Sequence, residues 1–211
     1  SGILISASDA AGIFYGIQSL KCLFSLEVWK GKVSELAIPL VEVKDYPRFG
    51  SRGLHVDVAR NFQLKEEILR ILNWMAMYKL NVLHFHFSDD EAWRIEIPGL
   101  PELTTIGAIR AHTLNSKNNM PATYGSGGPI NPMQSGYYTR NDYIEIIKFA
   151  KARNIELIPE IETPGHARAA IKAMRSRYER LMAENKPAEA SKYLLQELND
   201  SSVYRSVQNF N

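Results

Sequence analysis

The chain has 211 residues, 45% of them hydrophobic and 23% charged, with a formal net charge of +2. That is ordinary globular composition with room for one or two cores, and a charge so near balance gives no argument for a nucleic-acid or membrane-surface partner. No apolar run reaches the ~20 residues that a bilayer crossing needs, SGILISASDA lacks the basic start and apolar run of a signal peptide, and the single cysteine, Cys22, excludes an internal disulfide or a thiolate metal cluster.

From the start of the chain, GILISASD alternates like a strand. DAAGIFYGIQSLKCLF places Ile13, Ile17, Leu20 and Phe24 at helical spacing. Cys22, within LKCLF, is expected to be a buried small apolar group. SELAIPLVEVKDYP reads as extended. One helix and two short strands make too little core to stand alone, so residues 1–47 are expected to be the end of a small α+β domain that begins upstream.

A different rhythm starts near residue 48. RGLHVDVAR is a strand candidate, and LKEEILRILNWMAMYKL carries Ile68, Ile71, Leu72 and Met75 on one helical face. NVLHFHF is the next strand. Residues 97–136, rich in Gly, Pro and Asn and including GSGGPINP, read as a long loop. TRNDYIEIIKFAKARN is a helix with Thr139 and Asp142 at capping-box spacing and Asn154 suited to its end. IELIPEIETPGH is a third strand, and a long helical pattern runs from ARAAIKAMRSRYERLM toward LLQEL. Such alternation predicts an α/β fold with a parallel sheet covered by helices.

Polar residues cluster at one end of each strand: Arg60 and Asn61, then Ser88, Asp89 and Asp90, then Glu160, Glu162 and His166. C-terminal ends of parallel strands lie on one side of the sheet, and in a barrel they surround the mouth where catalytic residues sit. Two chemistries are open. His84 and His86, facing the same way on a strand, could join Asp89 or Asp90 and His166 in a divalent metal site. Alternatively an Asp orients a His, and Arg60 offers a rigid fork of donors for neighbouring hydroxyls or a carboxylate, with Phe62, Trp93 and Tyr138 as flat walls for a sugar. No Gly-rich phosphate loop follows a strand, no G-x-S-x-G is present, and no nucleic-acid-binding motif appears.

RGLHVDVARNF, NVLHFHFSDDEAWRIEI and GYYTRNDYIEIIKFAKARNIELIPEIETPGH closely resemble family 20 glycoside hydrolases, the β-N-acetylhexosaminidases, and AGIFYGIQSL resembles the end of the small α+β domain before their barrel. The resemblance implies that residues 48–211 are the first three or four βα units of a (β/α)8 TIM barrel. It implies that Arg60 binds hydroxyls of a terminal sugar, and that Asp89 hydrogen-bonds His166, which supports an acid/base glutamate. Glu162 stands where the family often has Asp, and is expected to shape the pocket; Asp57 and His86 are expected to support the barrel interior. The family reaction is substrate-assisted and retaining, needs no metal or organic cofactor, and removes terminal non-reducing N-acetylhexosamine. Its Asp-Glu pair lies in an H-x-G-G-D-E-like stretch that these 211 residues do not contain, so the chain alone is expected to be inactive. The family also implies export to a periplasm or the exterior. The unpaired edges of a partial barrel raise the expectation of self-association. Two other readings stay open: a metal-dependent hydrolase or deacetylase built on His84, His86 and Asp89, and a non-catalytic carbohydrate-binding remnant.

Overall fold

The computed structural model of the chain describes residues 2–33, 35–111, 119–121 and 135–195. The GSGGPINP stretch and most of LLQEL lie outside these residues. In chain order the elements are helices α1 (Ala10–Cys22) and α2 (Leu26–Trp29), strand β1 (Gly53–Asp57), helix α3 (Lys65–Met77), strand β2 (Val82–His86), helix α4 (Glu102–Thr105), the two-residue strands β3 (Arg110–Ala111) and β4 (Met120–Pro121), helix α5 (Arg140–Lys151), strand β5 (Glu156–Glu160), and helices α6 (Arg168–Ala183) and α7 (Pro187–Ala190). β1, β2 and β5 form one parallel sheet in that order, and β3 pairs with β4. The expected α/β alternation is therefore present.

The register sets the two faces of the sheet. Leu83 and Phe85 of β2 are fully buried and pack in one cluster with Ile68, Leu72 and Met75 of α3 and Ile146 and Ala150 of α5, with Val56 and Leu157 against it. Burying a side chain the size of Phe85 is worth about 2–3 kcal/mol, so this helix-facing side fixes the sheet. The opposite pleat carries a row in which Asp57, His86 and Glu160 are register partners, and beside it a row with His55 opposite His84. Alternation thus places the apolar residues against helices and the titratable ones on the other side.

Local signals explain the helix ends. In α5 the Asp142 amide donates to Thr139 Oγ1 at 3.1 Å and the Thr139 amide donates to Asp142 Oδ2 at 3.1 Å, the reciprocal capping box that the spacing predicts. Asn154 closes that helix with a left-handed φ of 55°. The helical pattern expected to continue toward LLQEL stops at Ala183 instead. Asn185 turns left-handed at φ 59°, and Pro187 opens α7, because a proline disfavours helical backbone in the residue before it.

The first 47 residues depart from expectation. Neither residues 2–8 nor residues 35–47 form a strand ladder. The first segment packs side-on against α1 instead: a Cβ on Gly12 would meet Ala7 Cβ at 2.7 Å, and one on Gly16 would meet Ile5 Cγ2 at 2.6 Å. The inward edge of α1 runs through Phe14, which packs on the core, and the buried Gln18; Ile13 and Ile17 are exposed. Cys22 is exposed as well, at the last residue of a helix that buries little of its surface. Polar ties hold α1 to the sheet-bearing part: Tyr15 Oη donates to the Asn154 carbonyl at 3.3 Å, and Lys79 Nζ donates to Ser19 Oγ at 2.6 Å and pairs with Asp45. Residues 97–136, expected as plain loop, also hold α4, β3 and β4, with Arg110 and Met120 fully buried.

Candidate active site

The backbone past β1 turns at Val58 and Ala59 and presents Arg60. Its amide donates to Asp57 Oδ1 at 3.0 Å and its Nη1 to Asp57 Oδ2 at 2.9 Å. Its Nη2 lies 2.6 Å from Asp89 Oδ2 and its Nε 3.3 Å from Glu91 Oε2. One guanidinium therefore faces three carboxylates; burial opposes its charge, but these anions outweigh that and raise its pKa.

Asp89 follows β2 in a turn closed by its amide donating to the Ala92 carbonyl at 3.0 Å. Its carboxylate is 3% exposed. Oδ2 meets Arg60 and, at 3.2 Å, His86 Nε2; Oδ1 accepts from the Asp90 amide at 2.6 Å and lies 3.4 Å from His166 Nδ1. Burial alone would push this carboxyl upward, but His86, the Asp90 amide, Arg60 and His166 together hold it below the ordinary range. His166, after β5, has a left-handed φ of 52°, uncommon for a residue with a Cβ, and with that turn its ring reaches Asp89. Asp90 accepts from the Arg168 amide at 3.2 Å, at the start of α6, where a carboxylate suits the exposed amides. Glu162 is half-buried; its amide donates to Ser88 Oγ at 3.0 Å and its side chain lies against Glu160. Arg60, Asp89 and His166 thus share one rim at the strand ends, and Glu162 stands beside it.

Residues 49–210 match the family described as glycosyl hydrolase family 20, catalytic domain. The chain belongs to glycosyl hydrolase family 20. Over its whole length it is 49% identical to the N,N'-diacetylchitobiase of Vibrio harveyi and 46% identical to the beta-hexosaminidase B of Pseudoalteromonas piscicida. It spans about a quarter of those curated relatives, 23% and 26% of their lengths. Among solved structures it is similar to a family 20 exo β-N-acetylglucosaminidase of Vibrio harveyi in complex with N-acetylglucosamine, with TM-score 0.71 and 33% identity over 97% of this chain and 28% of that one. It is also similar to the β-N-acetylhexosaminidase of Bacteroides fragilis, with TM-score 0.65 and 30% identity over 89% of this chain and 37% of that one.

In this family 20 chain the geometry also brings in residues that the sequence reading left without a role. Glu160 Oε2 lies 2.8 Å from His84 Nε2, 2.8 Å from His86 Nδ1 and 3.3 Å from His55 Nε2. His86 consequently sits between two carboxylates, and its pKa is pushed up to about 9, chiefly by the hydrogen bond to Asp89, against the cost of burial. The period-2 pattern of RGLHVDV and LHFHF already put His55, Asp57, His84 and His86 on one pleat, so His55 was within reach of sequence reasoning. Glu91 and Arg110 were not. Arg110 Nη1 donates to the Arg60 carbonyl at 2.6 Å, and Arg94, fully buried, donates to the carbonyls of Val58 and Ala59 just before Arg60. No periodicity marks either arginine as internal.

Two expectations change. Phe62, Trp93 and Tyr138 are core residues and not sugar walls: each is buried, Phe62 and Tyr138 lie 5.2 Å apart, and Trp93 Nε1 donates to the Ile95 carbonyl at 2.5 Å. The suggested metal trio of His84, His86 and Asp89 does not assemble, because His84 turns to Glu160 while Arg60, His86 and His166 occupy Asp89. Among the described residues, the donor groups within mutual reach are His55 with His86 and Glu160, and Asp89 with Asp90 and His166. Cavities of about 350 Å³ beside Phe62 and Tyr137 and about 1070 Å³ between α1 and residues 36–47 include none of Arg60, Asp89 or His166; converging side chains, on an open rim, mark the site.

The His86 environment sets a pH dependence of stability. A histidine whose pKa rises on folding from about 6.5 to about 9 contributes stability that is complete below pH 6.5 and is lost as pH climbs through 9. The shift corresponds to up to about 3 kcal/mol. Asp89 and Glu160, held low, act on the acid side of this window, and Arg94, depressed to about 9, acts above it. Urea unfolding at pH 6.5 and pH 9.5 is expected to show that loss in the wild type and not in His86→Gln; equal stabilities at both pH values in the wild type would refute the charged His86.

Proposed function

We propose that this chain is the opening part of the (β/α)8 catalytic barrel of a longer β-N-acetylhexosaminidase, residues 48–211 supplying its first three or four βα units and residues 1–47 ending a small α+β domain. The enzyme removes terminal N-acetylglucosamine or N-acetylgalactosamine from glycans by substrate-assisted, retaining hydrolysis. What carries this reading is the delivery of Arg60, Asp89 and His166 from three parallel strand ends to one rim, in a chain that family 20 relatives match throughout.

In this reading Arg60, already fixed by three carboxylates, aims its remaining donor capacity at sugar hydroxyls. Asp89 accepts from His166 Nδ1–H, which fixes the tautomer and leaves Nε2 to orient the carboxyl group that protonates the leaving oxygen. Glu162 borders the sugar. The substrate's acetamido oxygen attacks the anomeric carbon, which is why a second carboxylate nucleophile is not required. The acid glutamate and the aspartate that holds the acetamido group come from sequence outside these 211 residues, and the edges at β1 and β5 are where further barrel strands pair.

The test is an assay of the longer enzyme and of the 211-residue chain on a chromogenic β-N-acetylglucosaminide. The longer enzyme is expected to release sugar with retained configuration, and the isolated chain to give no turnover above background. Robust turnover by the 211 residues would overturn the division of labour; inversion of configuration in the longer enzyme would overturn the mechanism.

A further inference from the structure

We propose that His55, His86 and Glu160 form a site for one divalent transition-metal ion of the zinc class, with His84 orienting the carboxylate. This inference does not depend on the sugar-cleaving reading, since it concerns a row of side chains deeper along the strands than the rim.

Three observations support it. First, the register brings the donors together from adjacent strands: His86 and Glu160 are direct partners, and His55 lies two residues before Asp57, their partner on β1. One ligand atom from each of His55, His86 and Glu160 lies within 4.8 Å of the others. Zinc takes nitrogen ligands at about 2.0–2.1 Å, which places neighbouring donors roughly 3.3 Å apart; Glu160 Oε2 is already 2.8 Å and 3.3 Å from the two imidazoles. His55, about half exposed, has room to swing the rest of the way.

Second, His86 is 3% exposed, and its Nδ1 has no aligned hydrogen bond although it points at Glu160. Its other nitrogen is held by Asp89 at 3.2 Å. A buried imidazole held by a carboxylate on one nitrogen, with the other aimed at a cluster of donors, is the arrangement by which proteins orient metal-binding histidines.

Third, the donor types select the ion. Two imidazoles and one carboxylate suit zinc, cobalt or nickel, whereas magnesium and calcium prefer oxygen alone. His84 Nε2, 2.8 Å from the same Glu160 oxygen, supplies the outer contact that fixes the carboxylate. The second donor group, Asp89 with Asp90 and His166, is less suited, because Arg60 lies 2.6 Å from Asp89 and the Arg168 amide already donates to Asp90.

The longer protein that contains this chain, stripped with chelator, is titrated with Co2+ by visible absorption and with Zn2+ by calorimetry. One equivalent is expected to bind. Affinity is expected to fall at least tenfold in His55→Gln and in Glu160→Gln, and to stay within threefold of wild type in His166→Gln. His55 is exposed, so His55→Gln decides the matter even if Glu160→Gln fails to fold. Absence of saturable binding, affinity unchanged in His55→Gln, or affinity lost in His166→Gln would each overturn the proposal.

Discussion

Replacing Arg94 by Met is expected to lower the unfolding free energy of this chain by about 4 kcal/mol. Arg94 has no solvent exposure, and its guanidinium is spent on backbone: Nε donates to Val58 O at 2.9 Å, Nη2 to Ala59 O at 3.0 Å, and Nη1 to Ala108 O at 3.1 Å and Gly136 O at 3.0 Å. Burial, with Arg110 nearby, depresses its pKa to about 9, so it remains mainly charged at neutral pH. Methionine keeps the apolar stem and much of the volume but none of the donors. The four carbonyls stay where they are and lose this donor; Ala108 O keeps the Gly136 amide at 3.1 Å, while the loss at Val58, Ala59 and Gly136 costs about 1 kcal/mol or more each. Replacing both sides of a buried polar contact can be neutral, whereas removing one side is not. Urea unfolding at pH 7 measures the difference, and a loss below about 1 kcal/mol would show that the loop relaxes without Arg94.

Arg60→Ala carries the largest expected effect on activity. In the longer enzyme we expect kcat/KM on an N-acetylhexosaminide to fall at least ~100-fold, an effect of about 3 kcal/mol. The substitution removes the proposed sugar clamp and also leaves Asp57, Asp89 and Glu91 facing one another without the cation that joins them. Arg60→Lys is expected to recover less than a tenth of that loss, because an ammonium is a point charge and cannot span three carboxylates as a fork does. Wild-type kcat/KM in Arg60→Ala would remove Arg60 from the site.

The parts of the fold that were legible in the sequence are those written in short-range pattern. The α3 stripe of Ile68, Leu72 and Met75 is buried as its spacing predicts, and Thr139, Asp142 and Asn154 delimit α5 because caps involve residues only a few positions apart. Strand ends were legible for the same reason: polarity switches abruptly after HVDV, HFHF and IPE. The aiming of Arg60 at Asp89 follows from parallel register, which alternation with helices makes predictable.

What escaped was written at long range. Arg94 bonds residues 36 and 42 positions away, and nothing in WRIEI distinguishes an internal arginine from a surface one. Each of the three aromatics taken alone fits the core better than a sugar wall, and it was only their joint nearness to the strand ends that suggested the rim; their rings fill the core. In α1 the apolar residues at Ile13 and Ile17 suggested the wrong edge, because the face against residues 5–7 is made by glycines, which periodicity counts as neutral. Cys22 misled similarly: apolar neighbours in sequence did not become neighbours in space.

The pleat of β2 ties architecture to chemistry in a way that limits how this segment can change. Leu83 and Phe85 serve the interior on one side while His84 and His86 serve the cluster on the other. Inserting or deleting a single residue between Val82 and His86 would exchange the two sides at once, turning Phe85 out and imidazoles in. Length changes in this stretch are therefore forbidden far more strictly than substitutions, and a tolerated insertion has to fall before Val82 or beyond the Asp89 turn.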